Sequence, residues 1–97
     1  MSEYSFSQEL GFTHAEFIKN LPPAIGHRDY TIEDNLVTVS FGEGRSLTFE
    51  LGPEQVRKIA LLRMRYCVVT YTYYGFIDEH RQAFQKRFDL YFQKGGG

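Results

Sequence analysis

The run Arg65-Tyr66-Cys67-Val68-Val69-Thr70-Tyr71-Thr72-Tyr73-Tyr74 constrains the fold more than any other part of the chain. Aromatic and β-branched side chains lose rotamer freedom in a helix but pack well on a pleated surface, so the run predicts a strand over roughly residues 64 to 74. It lies between two segments of helical period and is therefore expected in the interior of a sheet. Successive strand residues alternate faces. Cys67, Val69, Tyr71 and Tyr73 are assigned to a core beneath helices, and Tyr66, Val68, Thr70, Thr72 and Tyr74 to the opposite face.

The flanking sequence supplies the other elements. Thr13 at an N-cap, Glu16 three residues on, and Phe12 with Phe17 as a hydrophobic staple predict a short helix, with Phe17, Ile18 and Leu21 as its stripe and Pro22-Pro23 as its end. Residues 1–10 are polar and read as a flexible N-terminus. Tyr30–Glu33, Leu36–Phe41 and Arg45–Leu51 read as an antiparallel meander joined by turns at Asp34-Asn35 and Gly42-Glu43-Gly44. Gly52-Pro53-Glu54 reads as the start of a second helix, with Val56, Ile59, Ala60 and Leu62 as its buried stripe. After the tyrosine strand, Asp78 is the expected N-cap of a final helix whose stripe is Ala83, Phe84, Phe88, Tyr91 and Phe92. The expected fold is α+β, a two-layer sandwich with a four-stranded, mainly antiparallel sheet in the order α-β-β-β-α-β-α and helices on one face. Residues 11–93 form the single domain and 94–97 a flexible, glycine-rich C-terminus.

Composition narrows the function classes. With 11 Lys and Arg against 12 Asp and Glu there is no global field to attract nucleic acid or an anionic membrane. A single cysteine, Cys67, excludes an intrachain disulfide and fits the reducing cytoplasm. Residues Met1 to Gln8 lack the pattern of a secretory signal, no apolar stretch approaches spanning length, and no membrane association is expected.

The motifs give little chemistry. His14, His27 and His80 have no ligand spacing, so no metal and no cofactor is expected. Cys67, on the face assigned to the core, reads as a small hydrophobe and not as a nucleophile. Asp29, Glu33, Asp34 and Glu43 fall at strand ends and turns, where carboxylates serve turn chemistry. No phosphate loop, serine elbow or paired-carboxylate motif is present, and catalysis is not expected.

Three readings of function remain. The first is a protein-binding or self-associating domain, a homodimer included, using the exposed Ser/Thr/Tyr sheet face: Tyr66, Thr70, Thr72, Tyr74, Thr38 and Thr48. A weaker one is anion or nucleic-acid contact through Arg57, Lys58, Arg63 and Arg65, which need to converge to act together. The Gly95-Gly96-Gly97 terminus carries the third. A Gly-Gly end resembles that of the ubiquitin-like sulfur carriers, and the resemblance implies activation or conjugation at Gly96 and Gly97.

Overall fold

A computed structural model describes the backbone of residues 3–95 and the side chains of residues 3–92. The chain runs β1 (Glu3–Leu10), α1 (His14–Ala24), β2 (Tyr30–Glu33), β3 (Leu36–Gly42), β4 (Arg45–Leu51), β5 (Gln55–Ile59), β6 (Leu62–Tyr74) and α2 (Asp78–Gly95). All pairings are antiparallel, in the order β1-β6-β4-β3-β2, with β5 paired to the far half of β6. The α+β class and the meander match expectation. Among the described residues the sheet has six strands instead of four, and there are two helices instead of three.

Both extra strands correct the sequence reading. Residues 3–10, expected to be flexible, form β1, whose eight residues pair with β6 from Glu3↔Tyr74 to Leu10↔Cys67. Its sequence Glu-Tyr-Ser-Phe-Ser-Gln-Glu-Leu alternates with period two, and the inward Phe6 stacks on Tyr71 at 4.7 Å. The segment expected to be the second helix is β5, and Val56, Ile59, Ala60 and Leu62, expected to be buried, are exposed. Lys-Ile-Ala-Leu-Leu-Arg-Met favours a helix locally, but pairing along β6 overrides that preference.

The face division along β6 holds. Cys67, Val69, Tyr71 and Tyr73 are fully buried with Val37, Val39, Leu47, Phe49 and Leu51, and both helices cover this face. Phe17 of α1 and Phe88 of α2 meet Phe49 at 5.4 and 5.2 Å. Thr13 caps α1 with the expected capping box, and Phe12 and Phe17 are both buried. Pro22 and Pro23 fall inside the last turn, so α1 ends at Ala24 and not before the prolines; His27 N–H closes the end on Pro22 O at 2.8 Å. On α2, Asp78 is the first helical residue, and the core stripe is Phe84, Phe88 and Phe92, with Ala83 and Tyr91 outside it. The helix includes Lys94 and Gly95, which were expected in a flexible tail.

Candidate functional site

Five exposed apolar side chains, Val56, Ile59, Leu61, Leu62 and Met64, cluster on one hairpin. β5 and the first half of β6 form a two-stranded arm that continues beyond the end of β1, and the molecule measures 48 × 26 × 22 Å. At the base of the arm Gly52 approaches β6 so closely that its N–H bonds Val68 O at 2.8 Å and an added Cβ would lie 2.7 Å from that oxygen. Three residues, Gly52 to Glu54, stand between the Leu51↔Val69 and Gln55↔Tyr66 pairs, a bulge that separates β4 from β5. His14 clamps this bulge. Its Nε2–H donates to Gly52 O at 2.6 Å, and Glu54 accepts the His14 backbone N–H at 2.9 Å. The arm is thereby fastened to the start of α1.

The register sorts the arm's side chains. Lys58 lies opposite Arg63 and Val56 opposite Arg65 on one face; Arg57 lies opposite Met64, and Ile59 opposite Leu62, on the other. Like charges directly opposite each other disfavour a pair, and no carboxylate of the described residues lies within ion-pair distance of Lys58, Arg63 or Arg65. Arg57 is engaged differently. It makes a two-pronged bond to Glu9 at 2.9 and 3.1 Å and lies 4.6 Å over the Tyr66 ring, and its pKa is raised by the hydrogen bond to Glu9. The four cations read as one set thus separate into a group of three on one face and a fourth tied to the body.

The arm ends in an apolar tip. Ala60 and Leu61 form the turn, Ala60 with a φ of 55°, and Leu61 is 100 % exposed. Val56, Ile59, Leu62 and Met64 add exposed apolar surface along the arm's length. Between residues 55 and 66 stand four cations and no carboxylate, so a chain total of −1 leaves −5 on the remainder. Sequence reasoning put Val56, Ile59 and Leu62 in a buried helix stripe and passed over Leu61 and Met64, because Ala60-Leu61 contains none of the Gly, Asn or Asp signals of a tight hairpin.

The open sheet face carries the other expected contacts. Tyr66, Thr70, Thr72, Tyr74, Thr38 and Thr48 share its parity, and Thr38↔Thr48↔Thr72 run side by side across three strands. Strand β1 completes the face. Ser5 and Ser7 exchange hydroxyl hydrogen bonds with Thr72 and Thr70 at 3.0 and 2.9 Å, and the Tyr66 hydroxyl donates to Gln55. The same parity places Glu3, Glu9, Glu33 and Glu50 on this face.

Cys67 is fully buried, and burial pushes its thiol pKa up, which opposes thiolate formation. Among the described residues, no group of His, Cys, Asp and Glu is placed to hold a metal, and no helix is long and apolar enough to cross a membrane. The expected activation site at Gly96 and Gly97 lies outside the described residues. Compared with known proteins, the chain matches no family model, no curated protein and no solved structure.

Proposed function

We propose that the protein is a non-enzymatic binding domain whose contact element is the β5–β6 arm, and that the arm is received by the open sheet face of a second copy of the chain. The observation that carries the reading is the division of charge: an arm of four cations without a carboxylate, on a remainder of −5 whose open face bears Glu3, Glu33 and Glu50. Two arms lying side by side would set Lys58, Arg63 and Arg65 against the same three cations, so arm-to-arm pairing is opposed and arm-to-face seating is favoured. The exposed apolar residues supply the area, and the hydroxyl face offers rim hydrogen bonds. Reciprocal seating about a twofold axis closes the assembly as a dimer. The single buried cysteine suits a reducing, cytoplasmic setting for it.

Nucleic acid fits the arm less well. Its one aromatic, Tyr66, already lies beneath Arg57, leaving no free ring to stack a base. A bilayer fits less well because the apolar residues extend to Val56 at the base, interleaved with cations and not confined to the tip.

Sedimentation equilibrium tests the reading. The wild-type chain is expected to dimerise, and the double substitution Lys58→Glu, Arg63→Glu to weaken the dimer at least tenfold, about 1.4 kcal/mol, without loss of fold. Mixing that variant with Glu50→Lys is expected to restore a heterodimer. A strict monomer overturns the proposal, as does arm-dependent binding of the monomer to duplex DNA or to phosphatidylserine vesicles.

A further inference from the structure

A second feature, separate from the arm, is a cavity of about 320 Å³ between the loop after α1, the β3–β4 turn and the first half of α2. Its volume is at the small end of the range of ligand pockets. Three arginines line it, Arg28, Arg45 and Arg87, and no aspartate or glutamate does. Among the described residues none of the three has a carboxylate within ion-pair distance.

Two of the arginines, Arg28 and Arg45, are held by backbone and rings. Arg28 donates to Ile25 O at 2.8 Å and lies 4.5 Å over the Phe41 ring. Gly26 makes room for it, since an added Cβ would come 2.9 Å from Arg28 Nη1. Arg45 donates through Nη2 to Phe41 O at 3.3 Å and lies 5.6 Å from the Phe76 ring. Its Nε is buried and has no hydrogen-bond acceptor among the described residues. Buried donors are almost always paired, so this Nε–H gains from an acceptor drawn close, and three guanidiniums converging on one cavity without a carboxylate partner suit an anion. Apart from His80 the rest of the lining is without polar side chains, and Phe76, Ala83 and Phe84 supply its apolar part.

We propose that this cavity binds a small organic anion, a carboxylate or phosphate monoester on a flat aromatic body. The charged group sits among Arg28, Arg45 and Arg87, and the body lies against Phe76, Ala83 and Phe84. Guanidinium forks match both anions, and the stacked arginines are already oriented, so little side-chain freedom is lost on binding.

Titration of the ¹⁵N-labelled protein with benzoate, phenyl phosphate, phenol and inorganic phosphate tests this, read at the Arg45 Nε–Hε resonance. Benzoate or phenyl phosphate is expected to move that resonance with a Kd of about 1 mM or tighter, and phenol to leave it in place. The tighter of the two anions identifies the preferred charged group. Arg87→Gln, at an exposed position on the rim, is expected to weaken binding about tenfold. Ala83→Leu is expected to abolish it by filling the apolar part while keeping every charge, with amide spectra confirming that both variants are folded. The proposal is overturned if neither aromatic anion moves the resonance, if phenol or inorganic phosphate binds as tightly as phenyl phosphate, or if both variants bind like the wild type.

Discussion

Cys67 and the two inward tyrosines are defined by burial more than by their own chemistry. Cys67 sits opposite Leu10 under the helices, so it is expected to react with a thiol reagent only as fast as the protein opens; a native-state rate close to that of a free thiol would contradict this placement. Tyr71 and Tyr73 bury their rings and keep their hydroxyls paired, Tyr71 donating to Gln8 at 3.0 Å and Tyr73 to Gln85. Burial first, and then the charge of Asp89, raises both hydroxyl pKa values. A raised pKa on a group that is neutral when protonated stabilises the fold fully below the unfolded-state value, about 10. Above it the unfolded chain ionises first, so stability is expected to fall by up to about 1.4 kcal/mol per pH unit for each tyrosine. Urea titrations between neutral and strongly alkaline pH measure the slope, and Tyr73→Phe should reduce it. These assignments were legible in the sequence, because strand parity alone separates Cys67, Val69, Tyr71 and Tyr73 from their neighbours.

At the level of elements, β5 is where local preference and tertiary structure disagree. Gly52-Pro53 followed by a run of good helix formers reads as a helix start, whereas Gly52 is needed for its close approach to Val68 O. Gly52→Ala places a Cβ 2.7 Å from that oxygen and is expected to cost about 1–3 kcal/mol, with hydrogen exchange rising first in the arm. The tip should respond in the opposite manner. Leu61 is fully exposed, so Leu61→Ser is expected to change folding stability by less than about 0.5 kcal/mol while weakening self-association. Thermal unfolding and sedimentation of the same sample separate the two effects; a large loss of stability would mean that the tip packs on its own body. Strand β1 was hidden for another reason. Its alternation is present, but Gln8 interrupts the inward set of Tyr4, Phe6 and Leu10, and the pattern resolves only once Phe6 meets Tyr71.

The molecule as a whole is a nearly neutral chain with its charges sorted in space. Self-association through the arm is therefore expected to weaken from physiological salt to 1 M as the Debye length falls from about 8 to about 3 Å, and sedimentation across that range checks it. Association that strengthens with salt would assign the contact to apolar area alone. By itself, the sequence determined the α+β class, the β2–β4 meander, the capping box of α1 and the two faces of the tyrosine strand. Each of these rests on periodicity or on a local cap, which short stretches of chain encode. Only the tertiary structure decided that β6 is long enough to capture β1 on one edge and both β4 and β5 on the other. It alone also gathered Arg28, Arg45 and Arg87 around one cavity. Pairing and convergence between residues distant in sequence depend on which segments compete for the same strand edge, and no local window records that competition.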